Sequence, residues 1–446
     1  MKRIAIIGTG ISGLVCARLL HQEHEVQVFE ANDYIGGHTA TVDVETPQGQ
    51  FAIDTGFIVF NDRTYPNFIK LLHTLGVAYQ DSEMSFSVKN DSQNLEYNGH
   101  SISTLFAQKR NYLNPKFYSL IRQILKFNKA CKQRWQDQDI KSDETLGSYI
   151  KQLGLNDYFA TNYILPMGAA IWSASLDESQ QMPLEFFIRF FVNHGLLNVS
   201  DRPQWFVVKD GSRSYIPALI AGLEERIHLN SPVQSVKRLN QGVELTINGE
   251  VQHFDDVVLA CHSDQSLSML SDATNDEQKV LSQLKYQNNE VVLHTDVSLL
   301  PKRRAAWAAW NYGLNGDSTS AAAVTYNMNI LQGLDEKAPT FCVTLNQTQS
   351  IDPSKILRSF NYAHPMFNHQ SIQAQQQRNL ICGKSNTHFA GAYWYNGFHE
   401  DGVRSALDVC QRFGLTLESL LSPKTKPSTQ TIPKVEPSQV PEPSHA

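Results

Sequence analysis

No two of the six cysteines in this 446-residue chain stand at CxxC spacing. That excludes a cysteine zinc site and a disulfide frame, and reads as buried free thiols in a reducing compartment. Fifteen histidines are present, yet no HxxxH or HxxE cluster occurs, so no metal is expected. No uncharged apolar run reaches the ~18 residues of a membrane span. Positive charge is not in excess: 38 Lys and Arg face 44 Asp and Glu, for a net charge of −6. Nucleic acid is therefore not an expected partner. The chain opens directly on an apolar strand and leaves no room for a signal peptide, which points to the cytoplasm or the inner face of its membrane. What is abundant is apolar residues, 41% of the total, enough for two domains with sizeable cores.

Against that background the first thirty residues stand out. Ile4 to Ile7 form a short apolar strand, Gly8, Gly10 and Gly13 follow at once, and a helix begins by Leu14. Val26 to Phe29 form a second strand, ended by Glu30. One glycine makes the tight turn, one lets the backbone approach a pyrophosphate, and one lets helix and strand pack closely. The helix N-terminus, at Ile11 and Ser12, offers unpaired amides and partial positive charge to phosphates. A carboxylate at the end of the second strand accepts hydrogen bonds from ribose hydroxyls, with Ala31 beside it. The chain is expected to bind a dinucleotide.

The same vocabulary returns twice. Strand signals at Trp205–Lys209, Ile227–Leu229, Val243–Ile247 and Val257–Ala260 flank a helix at Tyr215–Arg226, and a strand, a Gly-rich turn and a helix close the chain near 380–421. The fold class predicted is α/β: a Rossmann-type domain in three pieces, 1–58, 203–270 and 380–421, with an inserted α+β substrate domain. The insert comprises 59–202, mostly helical beyond a strand at Met84–Val88, and 271–379, strand-rich at Glu290–Asp296, Ala321–Asn327 and Thr340–Leu345. Residues 422–446 are rich in Pro, Ser, Thr, Lys and Glu and are expected to be disordered. No internal repeats are found.

Four further segments carry a resemblance. Gly36 and Gly37 stand in EANDYIGGHTATV, followed by Asp54-Thr55-Gly56-Phe57; Gly211-Ser212-Arg213 precedes HLNSPVQSVKRL and DDVVLAC; and HFAGAYWYNGFHEDGVRSAL lies near the end. Their order and spacing resemble the flavin amine oxidase and carotenoid desaturase superfamily. The resemblance implies an amine-oxidase-like fold with FAD as cofactor. It implies FAD contacts from the Gly36–Gly37 doublet with His38 and Thr39, from Thr55, Gly56 and Phe57, and from a backbone group near Val233 toward the adenine. At the far end it implies that Gly391 ends a strand and that His399, Glu400, Asp401 and Gly402 open a helix aimed at the flavin. Helix-dipole charge there favours the anionic reduced ring. CHSDQ, NHGLL with RPQW, and GGHTATV are further similar to a bacterial group of FAD-dependent oxidoreductases whose genes often neighbour cyclopropane fatty-acyl synthases, so a lipid-modifying enzyme is an expected partner.

The sequence departs from amine oxidases in three places. His38 stands where they carry Arg, the strand Asn289–Asp296 lacks their lysine, and only Phe398 of their two aromatic walls can be placed. A second Rossmann fingerprint is missing, which suggests that the substrate itself reduces the flavin. Between 104 and 135 lie eight Lys and Arg and no acid, with apolar residues at helical spacing, a pattern suited to anionic lipid or to a core helix with a solvated face. PLEFFIRFFV at 183–192 lines an acyl tunnel or forms core. The function expected is oxidation or desaturation of an apolar small molecule or lipid, acyl or isoprenoid, by hydride transfer to flavin N5. His294, Tyr395, Phe398 and His399 are the candidate catalytic residues. His399 is more readily placed by its backbone N–H, Asp54 as structural or flavin-adjacent, and Cys261-His262 as side chains pointing apart. An amine oxidase on a soluble amine, a flavin isomerase or mutase, and a non-catalytic escort-type protein remain as alternatives.

Overall fold

The structure, a computed structural model, describes residues 1–314 and 323–421. The expected disordered tail at 422–446 lies outside the described residues, as do Ala321 and Ala322 of one expected strand.

A five-stranded parallel sheet holds the first core. Its order is Ile227–His228, Glu25–Phe29, Arg3–Ile7, Asp256–Leu259 and Thr387–Phe389. Ile4, Val26, Val28, Val257, Val258, Leu259 and Phe389 are buried, as strands covered on both faces must be. Parallel neighbours need crossovers, and here the crossovers hold most of the molecule. The chain therefore visits this sheet three times. The helices Ile11–Leu20 and His399–Gln411 pack against each other beside it.

The second sheet has seven strands, in the order Ile356–Pro365, Tyr286–His294, Cys342–Leu345, Val324–Asn327, Trp310–Leu314, Phe86–Asn90 and Leu95–Asn98. All its pairings are antiparallel except that of Trp310–Leu314 with Phe86–Asn90. The helices Pro115–Asp137 and Leu184–Asn193 share a second core with it. Phe186, Phe187, Phe190 and Phe191 of the phenylalanine-rich helix are all buried there.

Three expected boundaries move. Phe60, Tyr65, Phe68, Leu71 and Leu72 belong to the first core, and the helix Pro66–Leu75 packs on His399–Gln411. The nucleotide domain thus continues past residue 58. Val59–Asn61 and Tyr79–Ser82 pair with Trp205–Val208, so the cut at 202/203 runs through one small sheet. The helix His369–Gln376 packs against Asn275–Leu281 and buries Ala374 in the first core, which moves the end of the insert upstream of 379. Stretch 59–202 is also less helical than expected, since it supplies the hairpin 86–98 to the large sheet. In each case the sequence marked where a motif ended, whereas long-range burial decides which core a segment joins.

The joint between first strand and first helix depends on a backbone contact. A Cβ on Gly13 would stand 2.0 Å from the Gly8 carbonyl oxygen. Backbone cannot yield as a flexible side chain does. Gly13→Ala is expected to destabilise the apoprotein by at least about 3 kcal/mol, beyond ordinary overpacking. Thermal unfolding of the cofactor-free protein measures it, and an unchanged Tm would mean that the two backbones do not approach this closely.

Candidate active site

Two glycine loops meet over the start of the first helix. A Cβ on Gly37 would lie 3.3 Å from Gly10 Cα, whereas a Cβ on Gly10 would meet nothing within 4 Å. The space above Gly10 is open on the side that a pyrophosphate would use. Thr9 ties the loops together: its hydroxyl accepts from the Gly36 amide at 3.2 Å and donates to Glu30 Oε2 at 2.7 Å. The doublet loop is fastened in turn to 55–57, because the Phe57 amide donates to the His38 carbonyl at 2.8 Å and the Thr55 amide to the Ala40 carbonyl at 2.9 Å. Ile11 and Ser12 open the first helix directly beneath.

Glu30 is buried and fully engaged within the protein. Oε2 accepts from the Thr9 amide and hydroxyl, and Oε1 from the Asn32 amide and side chain at 3.0 and 2.8 Å. The carboxylate was read from sequence as a ribose acceptor alone; here it is also the clasp that shapes the glycine loop. Ala31 beside it is exposed. The Ser231 and Asn230 amides donate to the Glu30 and Asn32 carbonyls, which brings Val233 to the same end of the cradle.

The last helix enters from the opposite side. A Cβ on Gly402 would lie 2.6 Å from Ile11 Cγ2, and Ser12 Oγ donates to the Gly402 carbonyl at 2.9 Å. Two helix N-termini therefore converge on one space, with the unpaired amides and positive partial charge that such ends carry. Gly391 ends the strand before this turn, and its amide donates to Ser405 Oγ. Glu400 accepts from the Asn67 side chain and the Phe68 amide, which fixes the helix to its neighbour. Asp401 accepts from the Phe398 amide at 2.9 Å. Burial pushes the Asp401 carboxyl up to about 7, and its hydrogen bonds only partly offset this.

His399 does not present an acid or base to substrate. Its ring stacks on Phe57 at 3.5 Å, and Nε2 lies 3.2 Å from Thr39 Oγ1 and 3.0 Å from the Tyr215 hydroxyl. Thr39 and Tyr215 hydrogen-bond to each other. Burial holds the ring well below the usual imidazole range, so it is neutral. Its contribution is the backbone amide heading the helix. Two other candidates are corrected as well. His294 sits inside the large sheet, with Nε2 2.7 Å from Thr344 Oγ1 and Nδ1 accepting from the Asp296 amide, so neither ring nitrogen is left for substrate. Tyr395 donates to Asp408 and lies under the Arg404 guanidinium, in a polar recess with Arg378 and Gln411. Both were read from strand or motif position, and side-chain direction overrules that.

Sequence reasoning missed a histidine cluster. The His38 ring lies 6.0 Å from His262, 5.7 Å from His364 and 5.1 Å from Tyr362. His38 Nε2 is buried without a hydrogen-bond partner. His262 stacks on Tyr286, and His364 Nδ1 lies 2.8 Å from Ser173 Oγ and 3.3 Å from the Asn289 amide nitrogen. Burial and mutual repulsion push His38 down to about 3 and His364 to about 4, so the cluster is uncharged at neutral pH. Among the described residues no group of three or more His, Cys, Asp or Glu side chains is arranged to hold a metal ion. The one signal in the sequence was that His38 replaces the arginine of amine oxidases. Asp54, raised by burial to about 6, accepts from Thr41 and Ser212 and anchors the turn at Gly211.

An apolar cavity of about 300 Å³ runs from Phe398 to the helix Pro115–Asp137. Its wall includes Phe86, Ile121, Ile124, Met167, Phe190 and Trp310. Among the described residues no carboxylate lines it, and Arg202 and His100 are on its wall. His194 on the wall is pushed down to about 4 by burial and is neutral. The Phe398 ring contacts Phe190 at 5.3 Å and His194 at 6.2 Å, but not Tyr362. Tyr362 instead bonds Thr55 through its hydroxyl and stacks on Phe360. Phe398 lines this cavity and Tyr362 does not, so the two do not face each other across it. Trp172 packs on Phe190, and Ser173 next to it holds His364, so cavity and histidine cluster share one wall.

A dinucleotide fits the residues present. The space over Gly10 is open, two helix N-termini face it, and His38 Nε2 stands unpartnered beside it. A family model described as flavin containing amine oxidoreductase matches residues 11–340. A 1-hydroxycarotenoid 3,4-desaturase from Flavobacterium sp. is 39% identical over 88 residues, 20% of this chain and 16% of that protein. An L-amino-acid oxidase from Siganus canaliculatus is 26% identical over 256 residues, 55% of this chain and 46% of that one. The match spans under half the length of either relative. In fold, the chain is similar to a CLA-producing fatty acid isomerase from P. acnes, at 15% identity and a TM-score of 0.67 over 92% of this chain and 98% of that one.

Two outcomes test the cradle. Gly10→Val has room in the protein itself, so it should change apoprotein stability by no more than about 1 kcal/mol. It should nonetheless abolish copurifying flavin, read by absorbance; full flavin content would show that no cofactor lies over Gly10. The second concerns Asp401. With its folded pKa raised, the native state holds a proton that the unfolded chain releases near pH 4, so stability is greatest in acid and is lost as pH rises through about 7. Between about pH 4 and pH 7 the unfolding free energy of the apoprotein, read by chemical denaturation, should fall more steeply with pH for wild type than for Asp401→Asn, by up to about 1.4 kcal/mol per pH unit. Parallel profiles would mean that Asp401 is ionised in the native state.

Proposed function

The chain belongs to the flavin-containing amine oxidoreductase family, and on that premise we propose that it is an FAD-dependent oxidoreductase acting on an apolar chain, acyl or isoprenoid, by oxidation or desaturation. The cofactor is FAD. When bound, it supplies a two-electron acceptor for a substrate C–H bond.

The observation that carries the reading is the cavity ending at Phe398. Its wall is mostly apolar, its one guanidinium is that of Arg202, and among the described residues it holds no carboxylate to pair with an ammonium group. A diamine drawn into it would lose its hydration without a counter-charge, which is costly in such a medium. An uncharged chain gains from the same desolvation. Phe398 and Phe190 close the inner end and exclude water, while the neutral His38, His262 and His364 offer uncharged donors and acceptors nearby. The names of the carotenoid desaturase and fatty acid isomerase agree with a lipid-type substrate, and that of the amino-acid oxidase with redox use of the family.

The test is anaerobic bleaching of the bound flavin. Unsaturated or methylated acyl lipids, or an isoprenoid, should reduce it, and putrescine, spermidine and simple aromatic amines should not. Phe398→Ala should slow the reduction about tenfold through loss of substrate positioning, with FAD retained. Rapid bleaching by an amine would replace this reading with that of an amine oxidase. Conversion of lipid with no lasting bleaching would make the protein an isomerase.

A further inference from the structure

We propose that the mouth of the apolar cavity is a docking surface for an anionic lipid bilayer, laid flat on the membrane by the helix Pro115–Asp137. The inference rests on the lipid reading of the cavity for its purpose, but on separate residues for its evidence.

Apart from Met1, the three most exposed large apolar side chains among the described residues, Leu113, Ile102 and Val199, lie on segments around the cavity mouth. Leu113 is 90% exposed, Ile102 77% and Val199 70%, with Tyr112, Tyr118 and Leu125 about half exposed. Val199 and Leu125 line the cavity itself, and Ile102 begins the short helix whose Leu105 does so. Tyr112, Leu113, Tyr118 and Arg122 border a shallow recess just beyond. Along the long helix, Tyr118, Arg122, Leu125, Lys129 and Lys132 recur at spacings of four and three residues. They therefore form one exposed stripe. Ile121, Ile124 and Asn128 lie next to it and face the cavity. Lys132 Nζ reaches Asn198 Oδ1 at 3.4 Å, so the stripe and the segment carrying Val199 border the same opening.

The charge is equally one-sided. Among the described residues, Arg134 is the one basic residue between 109 and 134 that is ion-paired, with Glu144 and Asp139. The others have no carboxylate partner among the described residues, on a protein whose net charge is −6. Two exposed acids stand beside the mouth: Asp201, paired with Arg63, and Glu83, 4.0 Å from the His100 ring. Unneutralised cations interleaved with exposed Leu, Ile, Val and Tyr match the two layers of a membrane surface: phosphate headgroups, and the acyl boundary beneath them. Among the described residues no helix is long and apolar enough to cross a membrane, so contact would be peripheral. A chain leaving such a surface would enter the cavity without crossing water.

Cosedimentation of the FAD-bound protein with phosphatidylglycerol/phosphatidylcholine vesicles tests this. Binding is expected at low salt, with release in molar salt and little binding to phosphatidylcholine alone. Arg122→Glu with Lys129→Glu should weaken binding at least about tenfold, and Leu113→Asp should weaken it independently. Both variants should retain FAD and unchanged flavin reduction by detergent-dispersed lipid, which excludes misfolding. Absence of wild-type sedimentation at low salt, or equal binding by the charge-reversed variant, overturns the proposal; a protein partner would then be the better occupant. Vesicle binding without lipid-driven bleaching would overturn the functional reading and leave the docking surface standing. Bleaching by dispersed lipid without vesicle binding would do the reverse.

Discussion

Everything at this site depends on helices brought closer than a side chain on either of two glycines would permit. The Gly8–Gly13 contact sets the first helix on the first strand, and the Gly402–Ile11 contact sets the last helix on the first. Between them they aim two helix N-termini at one space. A single helix end offers about half a unit of positive charge, and two ends facing the same volume make a strong anion site without any lysine or arginine. That leaves the surrounding residues free to be neutral. His38, where an arginine would be the usual choice, is one outcome of that freedom, since phosphate charge can be met by the backbone.

The first thirty residues were legible because the constraint there is local. Strand, turn, helix and acid lie within one short stretch, and each glycine has a reason that sequence spacing displays. The three returns to the parallel sheet were legible for the same cause: buried strands read as apolar runs. What was not legible depends on direction and distance. His294 and Tyr395 lie on the expected strand and motif, but period and spacing do not say that the His294 ring is spent on Thr344 and the Asp296 amide, or that Tyr395 turns toward Asp408. His262 and His364 are a hundred residues apart in sequence and became neighbours of His38 only through the antiparallel pairing of Tyr286–His294 with Ile356–Pro365. Glu30 was identified correctly as an acid at a strand end, yet its four bonds to Thr9 and Asn32 are invisible without coordinates.

Charge is divided sharply between inside and outside. Around the cofactor space and along the cavity, burial drives His38, His194 and His364 to the neutral form and raises Asp54 and Asp401 toward neutrality. Arg122, Lys129 and Lys132 lie on the outer stripe of the long helix, and Arg202 stands at the cavity wall. Such a division disfavours a charged substrate at the reacting end, because no fixed counter-charge stands there to offset its desolvation. It is compatible with a substrate whose reacting carbon is remote from any charged group.

The Thr39–Tyr215–His399 contact joins the three visits of the chain in one hydrogen-bonded group, one residue from each. Its members are separated by 176 and 184 residues, so loop closure must be complete on both sides before any of these bonds can form. The stacked Phe57 and His399 rings then seal the group from water. The cofactor cradle is thus held by strongly non-local contacts. Its geometry reports on the docking of the inserted domain as well as on its own motifs. A shift of the wall at Trp172 and Ser173 reaches His364, and through it the ring of His38, within three side-chain contacts. The cavity wall at Phe190 and the histidine cluster are thus linked through adjacent residues, Trp172 packing on Phe190 and Ser173 bonding His364, with uncharged groups throughout.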